Sequence, residues 1–268
     1  MCAGDELPAY SVDAYNVSHA SENKIHDDTV AQKLGFSGGL VPGVEVFAYA
    51  SHLPVAHWGR AFLECGSMTA RFGKPVYDGR VATAVGRVVP DGLALEVTSE
   101  GVSCATGHAA LREGVGTVPD LAGYRTPAPP AERPPADETS LAEARELATT
   151  PDVLTPERHA DYLRDVRETD PLYGAEGIAH PGILLRLCNS LLRENVVLPP
   201  GIQVGSPIDY FRVARVGEAL SARARVSAHY EKKGRRFVDL ASILVADDAH
   251  VSAPVNLTAI YRLRHLPA

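Results

Sequence analysis

Ser21-Glu22-Asn23-Lys24-Ile25-His26-Asp27-Asp28 is a polar segment that leads, through Ala31 and Gly35-Phe36, into a glycine-rich turn, Gly38-Gly39-Leu40-Val41-Pro42-Gly43. An apolar run follows from Val41 to Trp58, broken by Glu45, His52 and His57. It predicts a core helix opened by the turn and is too interrupted for a membrane span. The first turn of a helix carries free backbone N–H groups and a partial positive charge. Such donors stabilise a carbonyl oxygen on which negative charge develops. Pro42 has no N–H to give. Gly43 has one, and no side chain to bar close approach. His26 stands upstream, where a general base would face that carbonyl.

Working outward, a second copy of the pattern emerges. Gly177-Ile178-Ala179-His180-Pro181-Gly182 precedes another apolar run, Ile183 to Val197, so the two Pro-Gly turns lie 139 residues apart. Phe72, Val76 and Gly79 match Tyr210, Ala214 and Gly217 at an offset of 138 residues. Two landmarks in the same order predict an internal duplication. Between the copies, six of the twenty prolines fall from Pro119 to Pro135, which predicts an extended connector. Residues 1–117 and 140–268 are therefore expected as two units, joined by 118–139. In each, one long helix is followed by four strand-like runs. These are Ser67–Tyr77, Arg80–Val89, Leu93–Val102 and Ser103–Leu111, then Gln203–Val213, Ala219–His229, Arg236–Ala246 and His250–Leu263. Turn residues such as Asp78-Gly79 and Lys233-Gly234 separate them. A helix wrapped by a curved antiparallel sheet, made twice, is an α+β architecture. A further helix near Thr155–Val166 starts on a capping threonine followed by Pro156.

Composition bounds the function. Of 268 residues, 45% are apolar and 22% charged, an ordinary globular balance. A net charge of -7 argues against nucleic acid as partner. Cys2, Cys65, Cys104 and Cys188 form no CxxC pair, so neither a metal site nor a disulfide framework is expected, and a cytoplasmic location fits. The opening MCAGDELPAY has neither a basic start nor an apolar core and is not expected to be a signal peptide. Lys232, Lys233, Arg235 and Arg236 form a small basic cluster at a hairpin tip, a solvated turn or a contact for carrier phosphates.

The 21–43 stretch resembles the MaoC-like (R)-specific enoyl-thioester hydratases and dehydratases of the hotdog fold. Their motif runs Asp-x-Asn-Pro-(Ile/Leu/Val)-His, followed by a glycine-rich turn ending His-Gly. Asn23, Ile25 and His26 stand at the matching places, with Lys24 where the family has proline and Pro42 where it has the second histidine. Phe72-Gly-Lys-Pro75-Val76-Tyr-Asp-Gly79 is similar to the family's Phe-x-x-Pro-Val-x-x-Gly strand. Ser21 occupies the place of the family's catalytic aspartate. The second half keeps only Asp170-Pro171-Leu172-Tyr173 and His180-Pro181-Gly182.

The resemblance implies a double hotdog. It implies a lyase that hydrates an enoyl thioester, or dehydrates a 3-hydroxyacyl thioester, on coenzyme A or an acyl carrier protein. No cofactor or metal is implied, nor a nucleic-acid or membrane partner, and monomer and homodimer both stay open. His26 would be the base, Asn23 would orient the carbonyl or the water, and Ser21 would hold a water. Gly43, with Val41 and Gly39, would supply the oxyanion and substrate contacts. Tyr173 and His180 would shape the substrate site from the second half. Because serine cannot replace a carboxylate base, two alternatives stay open: a repurposed cyclase, isomerase or thioesterase, and a non-catalytic acyl-thioester binder.

Overall fold

A computed structural model describes residues 2–18, 21–114 and 116–263. The outer ends of the two expected units, residue 1 and residues 264–268, lie outside it. The first half comprises β1 (Tyr10–Asp13), α1 (Asp28–Lys33), α2 (Gly43–Trp58), α3 (Arg60–Cys65), β2 (Gly66–Phe72), β3 (Val81–Val89), β4 (Gly92–Ser99) and β5 (Val102–Leu111). The connector leads to β6 (Glu146–Ala148) and β7 (Asp152–Val153), then α4 (Pro156–Asp165), α5 (Pro171–Glu176) and α6 (Pro181–Asn195). The chain then forms β8 (Ile202–Gly205), β9 (Ile208–Asp209), β10 (Ala219–Lys232), β11 (Arg235–Ala246) and β12 (His250–Arg262). Among the described residues, no helix is long and apolar enough to cross a membrane.

The strands form one sheet in the order β1-β3-β4-β5-β2-β8-β12-β11-β10-β6, antiparallel throughout. The halves join edge to edge, with Met68 opposite Ile208 and Arg71 opposite Gly205. Strand β4 alternates regularly between half-buried and buried positions, as expected of a sheet with one face on a helix. Phe47, Tyr49 and Leu53 of α2 and Leu185, Cys188 and Leu191 of α6 belong to one continuous core that spans both halves. Each such side chain contributes roughly 1.5–3 kcal/mol by leaving water. The two helices pack against each other at the centre.

Two expected strands are shorter than their sequences imply. β2 ends at Phe72, because Gly73 and Lys74 turn their amides onto the Cys104 carbonyl. Gln203–Val213 breaks into β8 and β9 at Ser206-Pro207, where proline removes a ladder donor. The connector also packs: its Leu121 and Tyr124 cover Ile243, Val245 and Val251 on the outer face of β11 and β12. Thr155 caps α4 by accepting from the Arg158 amide, as its sequence predicts.

Candidate active site

The polar segment folds into a single 3-10 turn, Lys24–His26, followed at once by α1. Asp27 caps α1 by accepting from the Val30 amide. Asp28 reaches across the loop and accepts from the Gly39 amide at 2.7 Å. The glycine turn therefore lies against the His26 backbone. A Cβ on Gly39 would sit 2.4 Å from the His26 carbonyl oxygen, so only glycine fits there. Asn16, which sequence reading missed, donates from Nδ2 to the same carbonyl at 2.8 Å.

His26 Nδ1 lies 2.7 Å from the Leu40 carbonyl oxygen. A carbonyl only accepts, so Nδ1 carries the hydrogen and Nε2 keeps its lone pair. Burial pushes the imidazole below its ordinary pKa. This outweighs the Leu40 hydrogen bond, which raises it, and the Arg186 charge acts in the same direction as burial. His26 is thus a neutral base with a fixed tautomer.

No side chain caps α2, whose N-cap is Pro42. The Gly43 and Val44 amides have no hydrogen-bond partner among the described residues. The other two proposed donors of the turn are engaged: Val41 N–H donates to the Val76 carbonyl and Gly39 N–H to Asp28. The expectation that Gly39 serves the substrate is corrected accordingly; its part is to close the turn. Val41 contributes its side of a cavity wall instead of its amide.

Two cavities meet at His26. One, of about 130 Å³, is walled mainly by apolar side chains, including Ile25, Leu40, Val46, Phe72 and Val76, and it includes Gly43. The other, of about 160 Å³, is the more polar of the two: Ser21, Asn23, Arg186, Asn189 and Gln203 line it together with Leu192, Val196, Leu198 and Ile260. His26, Asn23, Pro42, Asn189 and Gln203 line both, with Gly201 and Ile202. A larger cleft of about 720 Å³ shares Phe36 with the first cavity and Leu198 with the second. Lys33, Arg235 and Arg262 line it, with no carboxylate among the lining residues.

The remaining predicted residues separate. Asn23 accepts from the Gly201 amide at 3.1 Å and from Ile25, and it donates to the Gly201 carbonyl at 3.0 Å. It therefore clamps the two halves together beside His26. Ser21 donates to the Asn23 carbonyl. Glu22, on the rim of the second cavity, pairs with Arg133 at 2.8 Å and so does not replace the missing carboxylate.

His180 and Tyr173 correct the expectation made for them: both are wholly buried and line neither cavity. His180 caps α6, its Nδ1 accepting from the Gly182 amide at 3.1 Å, while Nε2 meets Glu168 at 3.1 Å. Glu168 also meets His52 of α2 at 2.7 Å. Burial would raise the Glu168 carboxyl, but hydrogen bonds from His180 and His52 hold it well below the usual carboxylate range. Tyr162 fills the space over Gly182, where a Cβ would sit 1.9 Å from its hydroxyl. The second half thus has a plug where the first has a cavity. Its contribution to the site is the polar wall on α6, which sequence reading did not find, although Arg186, Asn189, Ser190 and Arg193 are spaced for one helix face.

No family model and no curated protein matches this chain. Solved structures do. A Mycobacterium tuberculosis protein described as a double hotdog, and as essential for bacterial survival during infection, shares 12% identity at a TM-score of 0.68, over 97% of this chain and 96% of that one. A Chloroflexus aurantiacus protein assigned as a MaoC-domain dehydratase shares 12% identity at a TM-score of 0.65, over 98% and 96%. A Thermobifida fusca protein assigned as a thioesterase II shares 18% identity at a TM-score of 0.51, over 94% and 91%. One architecture thus carries more than one activity name, and chemistry has to be argued from the site. What the likeness fixes is the architecture: this chain has a double-hotdog fold.

Proposed function

We propose that the protein is a lyase that interconverts an enoyl thioester and its 3-hydroxyacyl thioester, with His26 as acid–base group and the Gly43 amide as oxyanion donor. The observation that carries this reading is the pairing of a tautomer-fixed, neutral His26 with an uncapped helix start, both lining one cavity. In dehydration, Nε2 of His26 takes a proton from C2. The electron pair moves toward the thioester carbonyl, whose oxygen receives the Gly43 N–H. The C3–O bond then breaks, and the imidazolium returns its proton to the departing hydroxide. Water and the enoyl thioester result; hydration is the reverse. A single histidine therefore serves as base and acid in turn. Ser21, in the polar cavity, holds the water through its oxygen lone pairs.

The carrier reaches this site through the basic cleft, where Lys33, Arg235 and Arg262 would meet the phosphates of coenzyme A or of a carrier protein's pantetheine arm. The relatives' thioesterase name defines the competing reading, which a paired assay resolves. Crotonyl-coenzyme A is incubated with the protein while enoyl absorbance and free thiol are followed together. Loss of absorbance without thiol release is the expected result. Thiol release matching the absorbance loss would replace hydration by thioester hydrolysis.

A further inference from the structure

The polar wall opposite His26 is more than a neutral lining. Arg186, Asn189, Ser190 and Arg193 occupy one face of α6, a stripe about 10 Å long on a leucine-rich helix. Arg186 Nε donates to Glu45 at 2.6 Å, and Glu45 is wholly buried, so the carboxylate answers that guanidinium from the α2 side only. Its Nη2 is buried, as are the second Glu45 oxygen and the Tyr162 hydroxyl, so what Arg186 offers the cavity is the exposed third of its side chain. Arg193 donates to the Ser190 hydroxyl at 2.9 Å and has no ion pair among the described residues. Glu22 is the one carboxylate on this cavity, and Arg133 holds it. The cavity therefore carries two guanidinium side chains, Arg186 and Arg193, against one lining carboxylate, which a third arginine holds. An alkyl chain has its own place on the other side of His26, among Ile25, Leu40, Val46 and Phe72. Ser21 stands on the facing wall, where a carboxylate would repel an anion and a hydroxyl does not.

We infer that this cavity receives a carboxylate carried on the acyl group of the substrate, with Arg186 as the inner contact and Arg193 as the outer one. A guanidinium presents its donors in a fork that matches a carboxylate. The inference rests on the acyl-thioester reading above and narrows it to carboxyacyl thioesters. Its test needs no double bond, so it stands apart from whether water is added. Succinyl-coenzyme A and butyryl-coenzyme A are titrated into the protein by calorimetry. Succinyl-coenzyme A is expected to bind at least about tenfold more tightly, as a charge-assisted contact implies. In Arg193→Gln that ratio falls toward one. In Glu45→Gln/Arg186→Met, which leaves no unpaired buried charge, it falls as well. Equal binding by the wild type, or a ratio unchanged in both variants, overturns the inference. The N-acetylcysteamine thioesters of the same acyl groups separate carboxylate from phosphate. If Arg193→Gln weakens both coenzyme A esters equally and neither truncated ester, the arginine holds a carrier phosphate and the inference is wrong.

Discussion

His26 has one nitrogen committed to the Leu40 carbonyl and one left free, and its burial keeps the ring neutral. Activity should therefore fall only on the acid side, through a pKa below the ordinary histidine value near 6.5. A kcat/KM profile that instead fell between pH 7 and 8 would assign the base elsewhere. The same shift has a stability sign. Below the ordinary pKa the unfolded chain binds a proton more readily than the folded one. Stability from this group is thus present at neutral pH and is lost as pH falls from about 6.5 toward the folded pKa. Asn23 gives a second prediction. Since its side chain spends three hydrogen bonds on backbone, Asn23→Ala should lower stability by about 1–3 kcal/mol, read as a fall in Tm. A residue acting on substrate alone would leave Tm unchanged. His26, Asn23 and Gly43 were legible in sequence because their motif is local. Asn23's partner was not: Gly201 lies 178 residues away.

At the scale of elements, the glycine turn is the sensitive part. Gly39→Ala forces a methyl against the His26 carbonyl, so the turn or the His26 loop must move. A loss of about 1–3 kcal/mol and of most turnover is expected, measured on the same purified variant. Gly174, in α5, has open space around the position of a Cβ, and Gly174→Ala should be neutral or slightly stabilising. The long helices α2 and α6 were readable from their apolar runs and the turns before them. The break between β8 and β9 was not, since the strand propensity on both sides of Pro207 hid it. Nor did His180 betray its role. A histidine before Pro-Gly reads as a site residue, yet here it caps α6 and meets a buried carboxylate. What silences it is Tyr162, from a helix whose packing no local pattern encodes.

Across the whole molecule, the duplication is visible in the sequence and its consequence is visible only in the fold. The two offsets, 139 and 138 residues, predict repeated units. They do not predict that α6 of one half completes the cavity of the other. That arrangement depends on the Glu45–Arg186 pair between α2 and α6, across 141 residues of sequence. Removing one partner strands a buried charge. Arg186→Met should cost about 3 kcal/mol in denaturant unfolding, and adding Glu45→Gln should restore most of it. If the double variant were no more stable than the single one, the pair would not be what holds the helices in register.

The central claim is that a single histidine beside an uncapped helix start performs the chemistry without a carboxylate partner. Its most direct test follows the enoyl absorbance of a short enoyl-coenzyme A with wild-type protein and with His26→Ala at equal concentration. The account predicts turnover by the wild type and a loss of at least about a hundredfold in the variant, measured at a temperature where both proteins are folded. Equal rates in the two proteins, or no turnover by the wild type with either an alkyl or a carboxyacyl thioester, would contradict it.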